Sequence, residues 1–310
     1  MSVEVGGVTL PTPVMVASGC FGPELSHLAD VRKFGGVVTR SISVRPHRGV
    51  SSPRVAETPS GLLFETGLQN DGIEAFLSRE LPALAELGVP VFVSVAGSSV
   101  DEYMRLAMAL EGAPVVAGIE ANACCPSRER DGRWFAETSD GAAEVAGAVS
   151  RLARVPVFVK LADTPDLVEV ARACVRSGAT GLTLIHSMPG MAVDPGTFRP
   201  RLAAVKGSVS GPAIRPMAVH AVYRVAQAMP EVPILGVGGV SGGDDAVEFL
   251  LAGARAVQVG TAVFTDPQAP IEVALGIGRV LAEKGLHSPE DLRGRMGSLA
   301  SPAPVGTEAP

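Results

Sequence analysis

The sequence predicts an α/β fold of the (β/α)8, or TIM-barrel, kind, and three observations carry that expectation. Eight short apolar runs recur along the 310 residues. Segments of helical period lie between them. Most of the runs are rich in Val or Ile and apolar at both alternating sets of positions, as strands buried on both faces must be. Eight such alternations in one chain point to a closed parallel barrel. A doubly wound open sheet is the alternative, because it produces similar local patterns.

Taken in order, residues 3–10 read as a small hairpin closing the barrel bottom. Strands are expected at residues 14–19, 36–41, 91–97, 118–124, 157–162, 181–187, 234–240 and 256–262. Helices are expected at residues 24–34, 72–87, 99–110, 140–153, 165–177, 216–229, 243–252 and 267–284. Pro82 falls inside the second helix and is expected to kink or split it, having no N–H to donate. Ser139-Asp140 and Thr164-Pro165 read as helix starts, and Gly178 and Gly253 as stops. The connections 42–71 and 188–215 are too long for plain strand-to-helix loops. Both follow strands, so both belong to the C-terminal face, where they read as lids or binding loops. A third connection, 127–138, carries Arg128, Arg130, Asp131 and the single tryptophan, Trp134. It reads either as a flap over the site or as a solvated surface loop. Residues 1–297 are expected to form one barrel domain, and the Pro- and Ala-rich residues 298–310 a disordered tail.

Composition narrows the function. Hydrophobic residues make up 46% of the chain and charged ones 19%, so a sizeable core is easily built. Aromatics are only 4%, so Ala, Val, Leu and Gly are expected to fill the interior. A net charge of −6 with no long basic run argues against nucleic acid and anionic membranes as partners. Four cysteines without disulfide-type spacing suggest a reducing compartment. The start Met1-Ser2-Val3-Glu4-Val5 has no signal-peptide pattern, and no apolar run reaches membrane-spanning length. A soluble, cytoplasmic protein acting on a small molecule is expected, with no metal site.

The chemistry should lie at the carboxyl ends of the strands. Gly238-Gly239 and Gly260-Thr261 end the last two strands. Glycines admit close backbone approach, and barrels often hold phosphate at this place. A pair of tight turns without a ligand is the weaker reading, because two occur on neighbouring strands. The stretch Asn122-Ala123-Cys124-Cys125-Pro126-Ser127 puts an amide, two thiols and a hydroxyl at another strand end. Those thiols are proton-transfer candidates or simply core packing. Lys160 ends an apolar strand and needs a partner, since an unpaired buried charge is costly. It either pairs with Glu120 or faces a ligand that becomes anionic. Arg40 reads the same way, and His186 reads as packing or as an acid–base group.

These strand ends resemble the dihydroorotate dehydrogenase family, FMN-dependent barrels of pyrimidine biosynthesis. The resemblance runs from about residue 3 to residue 286. It is most specific in Pro53-Arg54-Val55-Ala56-Glu57-Thr58-Pro59, Gly67-Leu68-Gln69-Asn70, Cys125-Pro126, Ser210-Gly211-Pro212-Ala213-Ile214, Gly238-Gly239 and Val259-Gly260-Thr261. It leans toward the class 1B type, which uses NAD through an iron–sulfur/FAD electron-transfer subunit. The resemblance implies that FMN phosphate sits on Gly211, Gly238, Gly239, Gly260 and Thr261. It implies that Ala17, Ser18, Ser41, Asn122, Lys160 and Ser187 contact the ring and ribityl chain. Lys160 would stabilise negative charge on the reduced flavin, and Cys125 matches the family's catalytic base. Cys124 stands where the family has a small residue and reads as packing. A homodimer is expected on the same ground.

The substrate half departs from the family. Arg40 stands where the family usually has Lys, and remains able to pair bidentately with a carboxylate. Of the asparagines that hold the pyrimidine, Asn122 is kept, but Phe64, Ser127 and His186 replace the others. Ser94 also replaces an Asn. Each lost hydrogen bond costs about 1–3 kcal/mol. Substrate contacts are expected from Arg40, Phe64, Gly67, Leu68, Asn122, Ser127 and His186. The expectation is an FMN oxidoreductase adding or removing hydrogen across a C–C bond conjugated to a carbonyl. Its substrate would differ from dihydroorotate, with Cys125 or His186 moving the proton. Two alternatives are an authentic dihydroorotate dehydrogenase and a flavin-free barrel isomerase or synthase.

Overall fold

The computed structural model describes residues 1–296. Eight parallel strands close on themselves: β1 (Val14–Val16), β2 (Gly36–Val38), β3 (Val91–Val95), β4 (Val116–Asn122), β5 (Val157–Leu161), β6 (Gly181–Leu184), β7 (Ile234–Val237) and β8 (Ala256–Val259). Each pairs with its sequence neighbours, and β8 returns to β1 through Val257↔Val14 and Gln258↔Met15. The barrel is closed, so the open-sheet alternative falls. Most strands stop earlier than their apolar pattern suggested. Backbone pairing ends where the polar and glycine positions turn toward the C-terminal face. The tail expected at 298–310 lies outside the described residues.

Helices α1 (residues 72–85), α2 (Val100–Ala109), α3 (Ser139–Ser150), α4 (Leu167–Arg176), α5 (Arg215–Ala228), α6 (Gly243–Ala252) and α7 (Ala269–Lys284) follow strands β2 to β8. Thr138 caps α3, its side chain accepting from the Gly141 N–H, and Gly253 ends α6 at φ 119°. Within α1 the turn Phe76–Glu80 widens to a π-helix just before Pro82. That is the expected disturbance: Pro82 cannot donate to the Ser78 carbonyl, and the wider turn relieves the clash of its ring.

The helix expected at 24–34 does not form. Two 3-10 turns, Pro23–Leu25 and Val31–Lys33, take its place. The apolar spacing there is real, but Leu28 is 43% exposed and has no surface to pack on. Phe34 packs edge-on against Phe21 at 5.5 Å, anchoring the segment without a helix.

The hairpin Val3–Val5 with Val8–Leu10 does close the bottom. Val5 and Leu10 pack there with Met15, Phe92, Phe158 and Leu235. Phe92 and Phe158 meet edge to face at 5.8 Å, so two aromatics fill a layer where small aliphatic residues were expected. Glycines make room for them. A Cβ on Gly118 would lie 2.6 Å from the Phe92 ring, and one on Gly181 2.4 Å from the Phe158 ring.

The two long connections carry strands that were not anticipated. Met188–Gly190, Gly207–Ser210, Gly61–Phe64 and Val55–Thr58 form one antiparallel sheet above the barrel mouth. The pairing joins segments far apart in sequence, so no local pattern announced it.

Candidate active site

A cleft of about 510 Å³ opens at the carboxyl ends of the strands. That volume suits a cofactor-sized ligand. One wall is glycine-rich: Gly211, Gly238, Gly239, Gly260 and Thr261 all line it. Gly239 has φ 79°, and a Cβ there would lie 2.8 Å from the Gly211 carbonyl oxygen, so these turns are built for backbone approach. Thr261 Oγ1 donates to Ser210 Oγ at 2.8 Å, tying the β8 end to the upper sheet.

The floor carries the polar groups. Ala17, Ser18, Ser41, Asn122, Lys160 and Ser187 line the same cleft. Asn122 Nδ2 donates to Ser41 Oγ at 3.1 Å, and Ser41 Oγ meets Ser94 Oγ at 2.9 Å. The other side of the Asn122 amide accepts from its own chain, the Cys124 N–H, at 3.1 Å. The amide is therefore held in one orientation before any ligand arrives. Lys160 is buried, and its Nζ sits 3.5 Å from Glu120 Oε1. Glu120 is buried too, and its second oxygen accepts from Gln258 Nε2 at 3.1 Å. The two readings of Lys160 are thus compatible: it pairs with Glu120 and still faces the cleft.

Arg40, Phe64, Leu68 and His186 line the cleft as well. Trp134 packs edge-on against the His186 ring at 5.4 Å. Burial pulls the His186 imidazole down to about 4, and the nearby Lys160 charge adds to the effect. The ring is neutral at ordinary pH. Its Nδ1 lies 3.2 Å from the Ser187 carbonyl oxygen. A proton on Nδ1 donated to that oxygen leaves the lone pair on Nε2.

Three expected site residues stand off the cleft lining. Cys125 is 3% exposed, and burial pushes its thiol up to about 12. A thiol so placed stays protonated and is a poor base as it stands. Ser127 is buried and caps a 3-10 turn, accepting from the Glu129 N–H at 3.1 Å. Its hydroxyl is used locally. Gly67, at φ 64°, serves the turn before Leu68, where a Cβ would meet the Val50 nitrogen at 2.8 Å. Arg40 lines the cleft, but its guanidinium is already engaged, 3.1 Å from Glu24 and 3.8 Å from Glu80. It does not stand ready for a carboxylate as expected. Cys124 packs as expected, its Sγ 3.5 Å from the Lys160 carbonyl oxygen.

Residues 127–138 are a braced loop. Arg128 pairs with Glu102, Arg130 with Glu144 at 2.8 Å, and Pro126 bridges Trp134. Sequence reading missed Cys20, Glu24 and Phe264, which also line the cleft. Cys20 and Glu24 follow the Ala17-Ser18-Gly19 strand end closely enough to have been candidates. Phe264 carried no signal. Among the described residues, no group of three or more His, Cys, Asp or Glu is arranged to hold a metal ion. No helix among them is long and apolar enough to cross a membrane.

The family model described as dihydroorotate dehydrogenase matches residues 1–281. The chain is 45% identical over 299 residues to a protein of Geotalea daltonii named dihydroorotate dehydrogenase B (NAD(+)), catalytic subunit. That match covers 96% of this chain and 98% of the relative. Similarly named proteins of Pelobacter propionicus and Geobacter sulfurreducens are 43% and 42% identical, over the same shares of each chain.

Proposed function

Because the chain belongs to the dihydroorotate dehydrogenase family of FMN-dependent oxidoreductases acting on CH–CH groups, we propose that its cleft holds FMN over the strand ends and works on a flat carbonyl substrate distinct from dihydroorotate. The residues present fit the cofactor. The glycine turns of Gly211, Gly238, Gly239 and Gly260, with Thr261, would hold its phosphate. Ala17, Ser18, Ser41, Asn122, Lys160 and Ser187 would take the ring and the ribityl chain. Bound FMN supplies the hydride acceptor or donor.

The chain's own groups do the rest. Lys160 holds a fixed positive charge at the cleft floor, where reduction adds negative charge. His186 lines the cleft with a neutral ring, and in the tautomer that donates from Nδ1 to the Ser187 carbonyl its Nε2 is free to take a proton. It is the better placed proton-transfer group, because Cys125 would have to leave its buried position to take part. Removing a proton beside the carbonyl and a hydride from the neighbouring carbon desaturates the bond; the reverse saturates it.

The observation carrying the substrate proposal is a cleft lining with Phe64, His186 and a paired Arg40. Phe64 offers no hydrogen bond to a pyrimidine amide edge, and Arg40 would have to exchange its exposed pairs with Glu24 and Glu80 to meet its carboxylate. The second reading, dihydroorotate itself, is favoured by the relatives' shared name. Anaerobic mixing of the FMN-loaded protein with dihydroorotate separates them. Little or no flavin bleaching is expected; rapid bleaching would overturn the substrate shift.

The relatives are named catalytic subunits, which supports an electron-transfer partner for this chain as well. An iron–sulfur/FAD subunit taking electrons to NAD is the partner proposed. A homodimer of the chain is proposed with it.

A further inference from the structure

Below the cleft floor lies a charged layer that the function above uses only at its top. Lys160 reaches the cleft, but Glu120 and Gln258 do not line it. Glu120 is 1% exposed and Gln258 0%, inside a barrel whose bottom is closed by Phe92 and Phe158. The three side chains form one line: Lys160 Nζ at 3.5 Å from Glu120 Oε1, and Gln258 Nε2 at 3.1 Å from Glu120 Oε2. They come from β5, β4 and β8, so the line spans the barrel. Gln258 Oε1 finds no hydrogen-bond partner among the described residues. A fold needing only stability would fill such a layer with apolar side chains, since a buried ion pair seldom repays its desolvation.

We propose that Glu120 is a positioning residue that sets the charge a bound flavin meets: it fixes the Lys160 ammonium at the cleft floor and offsets part of its field. Gln258 holds the carboxylate from behind, so that the anion stays beneath Lys160. The inference rests on FMN occupying this cleft and deepens that reading. Its physical basis is dielectric. In a buried site a neighbouring carboxylate and ammonium act on each other and on a ligand far more strongly than in water. Removing the anion leaves the full cation beside the flavin, which favours the reduced, more negative form. Shortening the carboxylate weakens the offset by less.

The test is the midpoint potential of FMN bound to wild type, Glu120→Gln and Glu120→Asp, read by anaerobic redox titration. Glu120→Gln is expected to raise the potential, multiplying the ratio of reduced to oxidised flavin at a fixed potential about tenfold, or ~30 mV for a two-electron couple. Glu120→Asp is expected to rise two- to threefold by the same measure, and Lys160→Met to move the opposite way. A residue that only packs would lower the melting temperature of both Glu120 variants without ordering their potentials. An unchanged potential in Glu120→Gln overturns the proposal. Should that variant not be recovered with flavin, Glu120→Asp decides, and no rise there overturns it. Failure of the wild-type protein to bind FMN would instead sink the functional reading, and it is seen before any variant is compared.

Discussion

At the scale of single residues, His186 carries the clearest consequence. Its imidazole is pulled to about 4 by burial and by the Lys160 charge, so the folded state resists protonation that the unfolded chain accepts near 6.5. Between those values the unfolded chain binds more protons, and stability therefore rises with pH across that window. A denaturation series from pH 4 to 7 should show this rise, and His186→Gln should flatten it; an equal slope in both would refute the assignment. Substitution also separates the two proton-transfer candidates. His186→Gln should slow single-turnover flavin reduction by the proposed substrate class about 10²-fold or more, whereas Cys125→Ser should cost less. The opposite order would return the role to Cys125. Lys160→Met should keep FMN bound but lower the reduction rate about 10²–10³-fold. Most of these residues were readable as strand-end polar groups. The location of Cys125 was not, because its motif says nothing about the depth of its sulfur.

At the scale of elements, the β7 end and the 127–138 loop matter most. Gly239 has a positive φ and lies against the Gly211 carbonyl, so its turn tolerates no side chain. Gly239→Ala should weaken FMN binding about 5- to 150-fold, from strain of about 1–3 kcal/mol, while the barrel stays folded. Fluorescence titration with FMN checks this, and unaltered affinity would place the phosphate elsewhere. The loop is braced by two ion pairs near its start, Arg128–Glu102 and Arg130–Glu144, and presents Trp134 to His186. Its charges had allowed a solvated loop as readily as a flap; they turn out to be the braces. The helix lost at 24–34 is the reverse case. Its period was present in the sequence, but the neighbouring surface that would have covered Leu28 was not.

At the scale of the whole molecule, the barrel is a polar top resting on a dry base. Phe92 and Phe158 plug that base among glycines placed to admit them. Phe158→Ala should cost about 3–5 kcal/mol of stability, read by chemical denaturation, because a cavity would open in a layer with no small residue able to fill it. The alternation of buried strand and amphipathic helix is local, and so the sequence by itself determined the eight strand–helix units and the glycine turns at β7 and β8, whereas closure of the sheet and its strand order came from the tertiary structure. The sequence also determined which residue types stand at the strand ends. Only the tertiary structure decided what those residues meet. The upper sheet pairs distant segments, Glu24 and Glu80 claim Arg40, and Gln258 backs Glu120 across the barrel. The reason is physical: periodicity is written between neighbours in the chain, whereas burial and pairing depend on side chains brought together from opposite sides of the closed sheet.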